Sequence, residues 1–325
     1  MAAPMQRFCV LACAAALLFA ARCSAAPPSW SWSKVQSFIH CSNFSGELSL
    51  EAATAMAHAQ FTVLEKYQDL AGDFAREEEK AAAAGRAIRA LNPEAAIIYY
   101  AAVDLARTWY SWAQALDAQP QFEAHNADGS LVAHPSTDHG FDAVFHVPDY
   151  ATEGGRLAFL NSTARVVAAD PAWDGVFVDG YRDPGSWASH IIPNSSAAAQ
   201  SAWLAGAATL GPRLAQLLGP AAVMLVNGGT NPQRDWPGFN GVSIEFFYPS
   251  DADIEFLISA SKQAGVKWIE VHNYAFSDAN YNETVAGYLV GVEEGAYLGI
   301  GAACKYTVLK PLPSHSPTST DRRPF

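Results

Sequence analysis

Eight short apolar runs, most of them followed by a helical stretch, constrain this chain more than any other feature. The runs are SFIHC (37–41), FTVLE (61–65), AAIIYY (95–100), GVFVD (175–179), AVMLVN (222–227), GVSIEF (241–246), VKWIEV (266–271) and LGIGAAC (298–304). Each is too short for a stable helix and rich in β-branched or aromatic residues, the pattern of buried strands. Between them lie helical segments at 49–60, with Ser49 as N-cap, and at 69–90, 105–116 and 153–169. Further helices are expected at 197–218, closed by Gly219-Pro220, at 253–265 and at 281–296. Eight strands, most of them followed by a helix, over about 270 residues predict an α/β fold of the (β/α)8 TIM barrel type. A doubly wound sheet is the rival, but no Gly-rich turn follows the first strand. The third unit is enlarged: 121–134 reads as a hairpin turning at Asp128-Gly129, and such insertions commonly help to build a binding site.

The ends stand outside this pattern. Residues 1–26 carry Arg7, an apolar stretch from Phe8 to Ala21, and small residues before Pro27-Pro28, as in a signal peptide; a retained anchor is the alternative. The barrel is then expected over 27–309. Residues 310–325 are rich in Pro, Ser and Thr and offer no eighth helix, so either the barrel lacks its last helix or the N-terminal lead-in closes it.

Sequons at Asn43, Asn161, Asn194 and Asn282, read with the leader, indicate a secreted glycoprotein. Cys41 and Cys304 would be left after cleavage, on strands adjacent in a closed barrel, and are candidates for one disulfide or for two buried thiols. A formal charge of −12 and the absence of a basic cluster argue against nucleic acid as a partner. Half the residues are hydrophobic and 16% charged, enough apolar material for one large core. A monomer with no membrane contact after cleavage is expected.

Several strands end in polar or ionisable groups: His40, Glu65, Asp104, Asp179, Asn227, Glu245, and Glu270 with His272. Inward-facing residues at the carboxyl ends of barrel strands converge on one pocket. With Glu245 inward, Gly241 and Ser243 join it and the bulky Val242, Ile244 and Phe246 face outward. With Asp179 inward, Phe177 also enters the lumen. Cleaving a glycosidic bond requires a carboxylic acid to protonate the leaving oxygen and a carboxylate to act as nucleophile or base. Asp179 fits the second role. Glu245, in the apolar SIEFF, fits the proton donor, with desolvation raising its pKa. The alternative for any one of these acids is pairing with a basic neighbour.

WDGVFVDGYRD (173–183), SIEFF (243–247), FTVLEK (61–66) and NADGSLV (126–132) resemble the hypothetical TIM-barrel glycosyl hydrolase families, in particular glycosyl hydrolase-like family 15. More distantly they resemble the endo-α-1,4-polygalactosaminidases and, with them, the α-galactosidase superfamily. The resemblance spans most of 35–304 and implies acids at the ends of strands four and six, here Asp179 and Glu245.

Tyr181, Arg182, Asp104, Asn227, Glu270 and His272 are candidates for substrate contact, with Glu270 the alternative acid. Strands four and six lie about 9 to 10 Å apart, so either retaining or inverting separations are open. The histidines are scattered without HxH or HExxH, and GxSxG is absent, so neither a metal nor another cofactor is expected. The function expected is hydrolysis of O-glycosidic bonds in a poly- or oligosaccharide; a barrel that binds glycans without cleaving them is the alternative.

Overall fold

A computed structural model describes residues 35–42, 46–66, 77–104, 110–136, 143–181, 184–227, 237–245, 247–273 and 281–300, with Trp30 and Trp32. Its main sheet has eight parallel strands: β1 (Phe38–Cys41), β2 (Phe61–Leu64), β3 (Ala96–Ala102), β6 (Gly175–Asp179), β7 (Val223–Asn227), β8 (Gly241–Ile244), β9 (Trp268–Asn273) and β10 (Ala296–Ile300). They are ordered in space as they are in sequence. A parallel bridge between Ser37 and Leu298, with the Leu298 amide donating to the Gln36 carbonyl at 2.9 Å, joins the first strand to the last. The sheet is thus a nearly closed (β/α)8 barrel, as the alternation of runs predicts.

Helices α1 (Leu50–Ala57), α2 (Glu77–Leu91), α3 (Ser111–Asp117), α4 (Glu153–Ala169), α5 (Pro184–Ile191), α6 (Ala197–Ala207), α7 (Leu210–Leu218), α8 (Asp251–Lys262) and α9 (Tyr281–Gly291) lie between strands. Ser49 caps α1 as expected, its hydroxyl accepting from the Ala52 amide at 3.1 Å. The single helix expected over 197–218 is instead two, α6 and α7. Pro212, which lacks an N–H and crowds the carbonyl four residues back, stands in the first turn of α7 and prevents α6 from running on. Among the described residues no helix is long and apolar enough to cross a membrane.

The register fixes which side chains share the lumen. Tyr100 pairs with Phe177, Ala102 with Asp179, Asn227 with Ser243, and Gly241 with Trp268, and residues of that parity point inward. The floor is aromatic: Phe38 stacks on Phe61 at 5.1 Å, and Phe61 and Trp268 pack on Tyr297 at 4.9 and 5.7 Å. Trp30 of the lead-in meets Tyr297 edge-on from below, whereas Trp32 is exposed. Above this layer Phe177 lies between His40 (5.0 Å) and Tyr100 (5.7 Å). Its bulk in the lumen is the bed on which the polar residues rest.

Between β3 and α4 the enlarged unit forms its own two-stranded sheet, β4 (Ala133–Ser136) antiparallel to β5 (Ala143–His146). The turn expected at Asp128-Gly129 is present: Gly129 has φ +84°, and the Asp128 carboxylate accepts from the Ser130 amide at 2.9 Å. The insertion is moored to the barrel where Tyr150 Oη donates to the Val103 carbonyl, just past β3.

Candidate active site

Asp179 is the last residue of β6, and four groups surround its carboxylate. The Tyr100 hydroxyl donates to Oδ2, while Oδ1 accepts from the Gly180 amide at 2.8 Å and from Asn227 Nδ2 at 3.0 Å. Lys66, just past β2, lies over the Tyr100 ring at 4.6 Å and reaches its hydroxyl at 3.3 Å. Burial pushes the Asp179 pKa up, but the charge of Lys66 and the bonds from Tyr100, Asn227 and Gly180 outweigh it and hold the carboxyl below its usual range.

Glu245 is the first residue past β8, half-buried at the rim. Asn227 Nδ2, which donates to Asp179, also donates to Glu245 Oε2 at 2.5 Å. β7 runs between β6 and β8, so an amide at its carboxyl end stands between the two acids. Two acceptors on one nitrogen at 3.0 and 2.5 Å lie within about 5.5 Å of each other. Asn227 thus bridges the two acids that the strand-end pattern singles out.

Beneath them runs a line of charged groups, half-buried at Lys66 and Glu65 and buried at His40 and Glu270. Lys66 is ion-paired to Glu65, Glu65 lies 3.9 Å from His40 Nε2, and His40 Nδ1 lies 2.9 Å from Glu270 Oε1. Desolvation works to raise Glu65, but Lys66 and then His40 bring its pKa down. Desolvation also opposes a charged His40, yet the charge and hydrogen bond of Glu270, with Glu65 behind it, raise its pKa.

Glu270 and His272 are not at the mouth, where they were expected. Their exposures are 0% and 2%, and β9 extends to Asn273, two residues past the expected end of the strand, so both sit inside the lumen. Glu270 is thereby committed to His40. Tyr181 is directed away from the acids: its hydroxyl donates to the Ala207 carbonyl at 3.3 Å and its ring packs on Phe239. Asp104 is buried against Gly180, whose φ of +76° and lack of a side chain leave room for that carboxylate; a Cβ there would stand 2.3 Å from Asp104 Cγ. Arg182, Cys304 and Asn43 lie outside the described residues. Cys41 is disulfide-bonded. Asn161, Asn194 and Asn282 are exposed.

Lys66 and Tyr100 are the site residues that strand-end reading misses. Tyr100 has two more strand residues after it, and Lys66 follows the acid that draws the eye. The signal that finds Tyr100 is its register with Phe177, one inward step below Asp179.

No family model matches the chain, and no curated protein matches it either. Solved structures do. The glycoside hydrolase domain of PelA from Pseudomonas aeruginosa is 13% identical with a TM-score of 0.52, the match covering 84% of this chain and 97% of that domain. A GH31 dextranase from Flavobacterium johnsoniae, solved with isomaltotriose, is 10% identical with a TM-score of 0.54, covering 88% of this chain and 37% of its own. A glucosidase II alpha subunit is 9% identical with a TM-score of 0.56, covering 82% and 31%. The chain spans nearly the whole PelA domain but only about a third of the other two. At such identities the likeness concerns the fold, and the chain has the (β/α)8 barrel architecture that these proteins share.

Proposed function

We propose that this protein is a secreted glycoside hydrolase in which Asp179 is the nucleophile and Glu245 the acid, acting on a poly- or oligosaccharide with retention at the anomeric carbon. The observation that carries the reading is the Asn227 amide shared between the two carboxylates. It keeps their nearest oxygens within about 5.5 Å, which favours the short carboxyl separation of a retaining enzyme over the roughly 6.5 Å or more that an inverting water requires. The glycoside hydrolases among the structural neighbours support the reaction class. The leader-like segment 1–26 and exposed sequon asparagines support secretion.

In the first step an ionised Asp179 oxygen attacks the anomeric carbon while Glu245 gives its proton to the departing glycosidic oxygen. Glu245, now a carboxylate, then takes a proton from water, which displaces Asp179 from the sugar. Lys66 and the Tyr100, Asn227 and Gly180 bonds keep Asp179 charged for the attack. The aromatic bed of Phe177 and Tyr100 excludes water from below.

The test is release of reducing sugar from a glycan panel, followed by NMR of the product anomer. Asp179→Asn is expected to lower kcat by about a thousandfold or more with sugar binding kept. Glu245→Gln should lose most on substrates with poor leaving groups. Full activity in Asp179→Asn overturns the assignment, and an inverted product overturns the double displacement. Binding across the panel with no turnover favours the glycan-binding reading instead.

A further inference from the structure

On the insertion, away from the acid pair, three ligand-type side chains converge. Asp117 ends α3, Glu123 follows a 3-10 turn (Pro120–Phe122), and His146 ends β5. The backbone sets their meeting: Glu123 is bridged to Pro148, and the Ala124 amide donates to the Val147 carbonyl at 2.7 Å. His146 Nδ1 lies 3.0 Å from Asp117 Oδ1, with which it hydrogen-bonds, and 2.9 Å from Glu123 Oε2.

One ring nitrogen cannot satisfy both carboxylates. Glu123 has 1% of its side chain exposed, and its Oε2 has no hydrogen-bond partner among the described residues. A buried carboxylate that must share its one close imidazole nitrogen with a second acid is costly, and a cation would satisfy both carboxylates at once.

We propose that Asp117, Glu123 and His146 form a binding site for a divalent transition cation of the Zn2+ type, which clamps the end of α3 to the insertion sheet. All three ligand atoms lie within 4.8 Å of one another. One imidazole nitrogen with two carboxylate oxygens is a donor set for such an ion rather than for Ca2+, which takes six or more oxygens. Tetrahedral Zn2+ separates its ligands by roughly 3.3 Å, so the two contacts of His146 need to open by only a few tenths of an ångström. Asp117 and His146 are 43% and 29% exposed at their side chains, which gives an ion an entry path and leaves room for water as the fourth ligand. The other trio, His40, Glu270 and His272, is buried in the barrel.

The experiment uses the full untagged chain, stripped with a chelator and titrated with ZnCl2 by calorimetry, with thermal unfolding followed in parallel. One Zn2+ per chain is expected, with a rise in Tm on binding. Asp117→Asn, an exposed change that the fold tolerates, and Glu123→Gln should each weaken binding by more than about tenfold and abolish the rise. No uptake by the parent chain overturns the proposal. So does uptake that survives in Asp117→Asn, or that is lost in Glu270→Gln, which would place the ion in the barrel.

Discussion

An ionised Asp179 needs a cation nearby, because a carboxylate buried on an aromatic bed otherwise takes up a proton. Lys66 supplies that charge, so Lys66→Met should move the acid limb of the kcat/KM profile to higher pH; an unmoved limb would mean that the hydrogen bonds from Tyr100, Asn227 and Gly180 suffice. His40 works in the opposite sense. Its folded-state pKa is raised above 6.5 by Glu270, so the folded barrel holds this proton more tightly than the unfolded chain. The stability it contributes is complete below pH 6.5 and is lost as pH rises through the folded value. Glu270→Gln should flatten that decline, measured as the urea midpoint against pH; an unchanged slope would uncouple the pair. Asp179, Glu245 and Asn227 are legible in the sequence because each stands at or just past a strand end. Glu270 is misread because the position of a residue along a strand depends on where the strand stops, and residues 266–271 do not reveal that β9 continues to Asn273.

The elements place these residues by close backbone approach. Gly175 opens β6 opposite Val223, and a Cβ there would stand 1.9 Å from the Val223 carbonyl oxygen. Gly175→Ala therefore forces β6 from β7 and should cost about 3 kcal/mol, read from urea denaturation, and it should also lower activity by parting Asp179 from Asn227. A stability within about 0.5 kcal/mol of the parent would show that the strands can slide at no cost. Asp174 reinforces the other side of the strand, where β6 meets β3, its carboxylate accepting from the Ile97 amide at 2.8 Å and pairing with Arg89. The WDGVFVDG stretch thus spends its first acid on strand register and its second on the site. The break between α6 and α7 is encoded locally in Gly211-Pro212, but the Ala-rich helical pattern around it masks the signal.

At the scale of the whole molecule the barrel depends on its seam. Among the described residues Ser37 and Leu298 make a single bridge there, and Cys41, at the end of β1, is disulfide-bonded. Cys304 is the partner we expect, four residues beyond β10, which neighbours β1 at that seam. A non-reducing peptide map should recover that pair, and reduction should lower stability by about 2 to 5 kcal/mol; a bridge to Cys9, Cys13 or Cys23 would refute the pairing. The sequence alone determined the number of barrel strands, their parity and the strand-end positions of Asp179 and Glu245, because period-two alternation and chain breaks are local properties of neighbouring residues. The tertiary structure alone decided that Asn227 ties Asp179 to Glu245, that Lys66 and Tyr100 stand over the Asp179 carboxylate, and that Glu270 pairs with His40. Those contacts join residues from separate strands, and only closing the sheet into a barrel brings them within reach.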